Sequence, residues 1–196
     1  MQERLQQLAQ DHLASITTLI AEQSEAIERA AFVLVEALVQ ENRIFCCGNG
    51  GSGANAQSFV SKLINRFEHE RPAFPAIALG ADSTAYGSLA ADGQLTEVFA
   101  RPLQGLAHPG DVLVVLTASA ALANIAQAIR AARERGCRII AITGHDGGEL
   151  GHLLNDDDVL IRLPSGGMAR LHEMQLFALH CFCDLIDQSL FGAHHA

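Results

Sequence analysis

The residues best suited to chemistry lie in one short run, Gly48-Asn49-Gly50-Gly51-Ser52. It follows a strand-like stretch, Arg43-Ile-Phe-Cys-Cys47, and opens a helical pattern that reaches about Phe67. Glycines let a backbone approach an anion closely, the first amides of a helix are free donors, and Ser52 adds a hydroxyl. Such a run can cradle a phosphate. It is not a Walker loop, because no Gly-Lys-Ser/Thr occurs, and its glycine spacing departs from the dinucleotide fingerprint. No acidic residue closes the next strand, so a nicotinamide cofactor is not expected. The same residues would also make a plain tight turn, and local physics alone does not choose between the two.

The elements that must position this run are legible from periodicity. Leu5, Leu8, Leu13, Ile16, Leu19 and Ile20 recur at helical spacing, and Ile27, Ala30, Ala31, Leu34, Val35 and Leu38 do so again, which predicts two helices with Ser24 as the second N-cap. Beyond residue 40 short apolar runs alternate with helical segments. The runs are Arg43–Cys47, Pro75–Leu79, Asp111–Leu116, Cys137–Thr143 and Val159–Leu163. Helices are predicted to about Phe67, from about Asp82 to Leu106 with a break near Asp92-Gly93, from Ala120 to Arg135, and from Met168 to Leu190. Strands apolar on both faces and alternating with helices predict an α/β fold, a doubly wound five-stranded parallel sheet flanked by helices. The expectation is a single domain, with residues 1–40 as a helical extension and 41–196 as the α/β core. Ligands in such a sheet sit beyond the carboxyl ends of the strands, near Gly48, Thr117 and Gly144.

Composition narrows the function classes. The chain has 196 residues, 49% of them hydrophobic, which supports a substantial core and excludes disorder. Its 13 Lys and Arg against 22 Asp and Glu leave a net charge of −9, so direct nucleic-acid binding through phosphates is not expected. No apolar run is long enough to span a bilayer, and Met1 to Asp11 lacks the apolar core of a signal peptide. Cys46, Cys47, Cys137, Cys181 and Cys183 lie within apolar runs and lack zinc-knuckle spacing. They are expected to be reduced thiols in a cytoplasmic protein.

Several runs together carry a resemblance: Cys46-Cys-Gly-Asn-Gly-Gly-Ser52, Arg66-Phe-Glu-x-Glu-Arg-Pro72, Pro75-Ala-Ile-Ala, Gly110-Asp-Val-Leu, Thr143-Gly-x-Asp-Gly-Gly148 and Cys183-Asp-Leu-Ile-Asp187. They resemble the sugar isomerase (SIS) domain family, in the branch of phosphoheptose isomerase (GmhA) and the DnaA initiator-associating protein DiaA. The likeness spans nearly the whole chain. It implies a homotetramer built partly by the N-terminal helices and a phosphosugar pocket shared between subunits. Pocket residues by this resemblance are Asn49, Gly50, Gly51, Ser52, Thr117, Ser119, His172 and His180.

The resemblance also exposes departures. The isomerases carry Gly-Asn-Gly-Gly-Ser-x-x-Asp-Ala-x-His-Phe-x-x-Glu, whereas this chain has Asn55 for the Asp, Ser58 for the His and Lys62 for the Glu. Isomerisation between adjacent carbons needs a base and an acid, which a carboxylate or imidazole supplies near neutral pH. Ser is a poor zinc ligand, and an ammonium repels a cation. The phosphate loop Ser-Thr-Ser-x-x-Ser is reduced to Thr117-Ala118-Ser119-Ala120-Ala121-Leu122, with two hydroxyls left. On the closing helix the terminal His is kept as His180, His172 replaces a Gln, and Gln175 lies between them. No catalytic residues and no metal are therefore expected, with Ser58 and Lys62 as degenerate positions. Glu173 beside Arg170 is read as pairing rather than catalysis. At the end of that helix Leu190 and Phe191 form an apolar pair, and in the DiaA-like reading they contact the initiator DnaA. His194 and His195 are too few for a metal site. Two readings follow: a non-catalytic adaptor that binds DnaA, or a zinc-dependent sedoheptulose 7-phosphate isomerase. A phosphosugar-binding sensor lies between them.

Overall fold

A computed structural model describes residues 1–118, 122–144, 147–164 and 166–192. The elements are helix α1 (Gln2–Val39), strand β1 (Ile44–Gly48), α2 (Gly51–Ile64), β2 (Ala76–Ala78), α3 (Ser83–Ala91), α4 (Ala100–Leu106), β3 (Val112–Leu116), α5 (Ala123–Glu134), β4 (Arg138–Thr143), β5 (Val159–Arg162) and α6 (Met168–Phe191). Short 3₁₀ turns at Leu95–Glu97 and Gly148–Leu153 complete the order, the second without a signal in the sequence.

The strands form one parallel sheet in the order β2-β1-β3-β4-β5. The chain leaves β1 for β2 on one side and returns to β3 on the other, so the switch in winding lies between β1 and β3. There Gly48 pairs with Leu116, and the loops after both strands leave the sheet side by side. β1 and β3 are buried throughout, as strands covered on both faces must be. Alternate strand residues feed two cores. Ile44, Cys46, Val112, Val114 and Ile140 face α1, α2 and α6. Phe45, Cys47, Leu113, Val115 and Ile139 face α4 and α5.

The extension differs from the expected helix pair. α1 is one helix of 38 residues, roughly 57 Å long. Nothing between residues 2 and 39 stops it, since this stretch holds neither Gly nor Pro, and an interior Ser costs a helix only a few tenths of a kcal/mol. Its second half is core, from Leu19 through Ile27 and Leu34 to Leu38, while Leu5 and Leu13 near its start are exposed.

α2 and α6 are locked together by Arg71. Its Nε donates to Asp187 Oδ1 at 2.7 Å, and its terminal nitrogens donate to the carbonyls of Leu63 and Lys62 at 2.8 and 2.7 Å. These are last-turn carbonyls of α2 that no helical amide can satisfy. The Arg71 side chain is 2% exposed and that of Asp187 10%. Removing one partner of such a pair strands a buried charge. Asp187→Asn is therefore expected to lower stability by about 3 kcal/mol, read from the midpoint shift in urea unfolding.

Candidate functional site

The glycine run forms a compact turn between β1 and α2. Gly50 adopts φ 55°, a left-handed conformation that favours glycine, and supplies the N-cap position without a side-chain cap. The amides of Ser52 and Gly53 turn back onto the Asn49 carbonyl at 3.1 and 3.4 Å. Across the loop, Asn49 and Asn124 exchange amide hydrogen bonds of 3.1 and 2.8 Å, which ties the turn after β1 to the start of α5. A cavity of about 210 Å³ opens here, lined by Asn49, Gly50, Gly51, Ser52, Thr117, Ala118, Leu122, Met168 and His172. Six of the sequence-derived pocket residues thus meet. Ser119 lies outside the described residues, as do His194 and His195.

His172 forms the roof. A Cβ on Gly51 would come within 2.4 Å of its ring, so the imidazole sits directly against the glycine backbone. Among the described residues that line this cavity, His172 brings the one imidazole. Ser52 is 2% exposed, and its hydroxyl donates to Gln175 Oε1 at 3.0 Å. Asn55 Nδ2 donates to the His172 carbonyl at 2.8 Å and reaches the same Gln175 oxygen at 3.4 Å. Gln175 is fully buried, and its Nε2 has no partner among the described residues. The sequence placed Gln175 on the right helix without marking it as the hub that holds the cradle to α6. Only its spacing from His172, one turn away on α6, hinted at that part.

His180 lies elsewhere. Within one chain it lines a second cavity, about 560 Å³, between α1 and α6, together with Ile20, Ser24, Phe67, Glu68 and Asp184. Its ring packs against Phe67 with centroids 5.4 Å apart. Burial lowers its pKa and the Lys62 ammonium lowers it further, while Glu68 opposes them. On α2, Lys62 Nζ donates to Ser58 Oγ at 2.8 Å, so these two side chains satisfy each other.

Zinc, which the resemblance implies for the isomerases, does not fit these residues. Lys62 offers a positive charge and no lone pair, and the Ser58 hydroxyl oxygen already accepts its hydrogen bond. Among the described residues no three His, Cys, Asp or Glu side chains gather into a ligand set. The cysteines supply none. Cys46, Cys47, Cys137 and Cys183 are buried free thiols, and burial pushes Cys137 and Cys183 up to about 12.

Glu173 is a strut rather than a site. Its carboxylate accepts from Arg170 and sits 2.6 Å from His12 Nδ1, and Arg170 reaches the Leu8 carbonyl, which ties α6 to the first half of α1. At the far end of α6, Leu190 packs partly against the core, and Phe191 is 42% exposed.

With this geometry in place, a family model described as the SIS domain matches residues 8–144. The chain belongs to the SIS domain family. Relatives within the SIS family carry two different names. The phosphoheptose isomerase of Chromohalobacter salexigens is 48% identical over 167 residues, 85% of each chain. The DnaA initiator-associating protein DiaA of Shigella flexneri is 44% identical over 191 residues, 97% of each chain. A solved phosphoheptose isomerase from Francisella tularensis shares the SIS fold at a TM-score of 0.90 and 34% identity, covering 95% of this chain and 97% of that one. No helix among the described residues is long and apolar enough to cross a membrane.

Held neutral in the folded state, His180 contributes stability that is complete above its ordinary pKa of 6.5 and is lost as the pH falls from there to its lowered folded value. Lys62→Met removes the neighbouring charge and leaves the burial. It is expected to raise the pKa of His180 part of the way back, as read from the imidazole proton shift in an NMR titration.

Proposed function

We propose that this protein is a non-catalytic SIS-domain adaptor that binds the replication initiator DnaA and promotes its assembly at the origin. The observation that carries this reading is the Lys62–Ser58 hydrogen bond, 2.8 Å long, on the face of α2 where the isomerases carry Glu and His. A protonated amine and a hydroxyl there offer neither a general base nor a metal ligand. Loss of the loop hydroxyls at Ala118 and Leu122, both lining the cradle, weakens phosphosugar binding as well. The name of the Shigella flexneri relative supports DnaA as the partner.

The adaptor acts as a cytoplasmic homotetramer, with the exposed apolar residues of the first half of α1 among those that join subunits. Several equivalent surfaces would then gather initiator molecules and raise their effective concentration without touching DNA, which suits a chain of net charge −9. Leu190 and Phe191 are the contact residues, since an exposed aromatic beside a half-buried leucine makes a binding hot spot.

One observation favours a second, compatible role. The cradle keeps Gly50, Gly51, the start of α2 and an adjoining imidazole, a set suited to weak binding of a phosphosugar without turnover.

Co-purification with the DnaA N-terminal domain tests the main reading. The wild type is expected to bind, and the double variant Leu190→Ala, Phe191→Ala to lose binding while its light-scattering mass stays unchanged. A wild type that fails to bind rejects the adaptor. In a coupled assay with sedoheptulose 7-phosphate and added zinc, no turnover is expected. Activity that disappears in His180→Ala would establish the isomerase instead.

A further inference from the structure

Phe191 does not stand alone at the end of α6. Its ring stacks on Phe74, with centroids 6.1 Å apart and planes inclined by 19°. Phe74 comes from the segment between α2 and β2, where its amide donates to the Leu63 carbonyl at 3.0 Å and its side chain stays half-buried. The guanidinium carbon of Arg71 lies 4.1 Å from the centre of the Phe74 ring. Arg71 is itself fixed by Asp187 and by two carbonyls of α2. The exposed aromatic therefore rests on a ring that a buried ion pair holds in place, and needs little further ordering when a partner arrives.

Carboxylates outnumber cations around this end, where Lys62 is a positive charge held on the neutral Ser58 hydroxyl. Arg66 is matched by Glu70 at 2.7 Å, and Arg71 by Asp187. Asp184 precedes Phe191 by two turns on the same face of α6, and it lines a groove with Glu68; both are exposed. With Arg66 and Arg71 each matched, Asp184 and Glu68 outweigh Lys62, and the balance beside the two rings is negative.

We propose that Phe74 is a third member of the initiator-docking surface, alongside Leu190 and Phe191, and that this surface takes an apolar side chain of the DnaA N-terminal domain flanked by Lys or Arg. The proposal rests on the adaptor reading and adds to it a residue far from α6 in sequence, together with the charge of the partner face. Asp184 and Glu68 steer the encounter, and the two rings and Leu190 retain the complex.

The test titrates the DnaA N-terminal domain against the full chain by biolayer interferometry, with mass and melting followed in parallel. Phe74→Ala is expected to weaken binding about tenfold through faster dissociation, with oligomeric mass unchanged and melting still cooperative. Phe74→Leu, which keeps the apolar packing and loses the stacked ring, is expected to show a smaller loss and carries the test should the alanine variant not fold. Asp184→Asn is expected to slow association and flatten its salt dependence. Full affinity in both Phe74 variants, with binding lost in Leu190→Ala, Phe191→Ala, would overturn this proposal and leave the adaptor standing. A change of oligomeric mass in Phe74→Ala would overturn it too, by assigning the ring to subunit packing. No binding by the wild type would remove the adaptor reading itself.

Discussion

The buried pair of Arg71 and Asp187 sets the relation between α2 and α6, and the rest of the site depends on that relation. A guanidinium with 2% exposure must have its donors satisfied, and here one fork serves a carboxylate on α6 and two terminal carbonyls of α2. Few other placements of the two helices would satisfy all of these groups. With the register fixed at this end, Ser52 and Asn55 at the start of α2 fall opposite Gln175 and the His172 carbonyl. The cradle is thus held from α6 by polar contacts whose geometry is decided some 20 Å away, at the other end of a 14-residue helix.

The same arrangement separates two regions along α6. Met168 and His172, near its start, close the cradle after β1. Leu190 and Phe191, at its end, lie beyond the ion pair, 18 or more residues and roughly 28 Å further on. Phe191 rests on Phe74, and Phe74 on Arg71, rather than on the residues that line the cradle. Lys62 also changes the electrostatics of the groove between α1 and α6, where it adds to burial in keeping His180 neutral.

Much of this was legible in the chain. Val112 to Leu116 and Arg138 to Thr143 announce buried parallel strands because both faces of a doubly wound sheet are covered, and glycine marks the turn after β1. Ser24, a favourable capping residue, starts no second helix, because nothing stops the one that precedes it. In the structure Ser24 lines the groove beside His180 instead. His172 and His180 share one helix and look alike in sequence, yet they enter different cavities. Eight residues on a helix advance about 12 Å, so their neighbours differ.

The sequence by itself determined the order of elements, the parallel sheet, the place of the glycine turn and the side-chain types at Ser58 and Lys62. Those properties are local: periodicity, backbone permissiveness and side-chain type act within a few residues. Only the tertiary structure decided that Gln175 anchors Ser52, that His172 sits on Gly51, and that Arg71 joins Asp187 and steadies Phe74 beneath Phe191. Apart from the local contact of Arg71 with Phe74, each of those pairs spans more than a hundred residues. Their meeting follows from how helices pack on the sheet, a property of the whole chain that no short window contains.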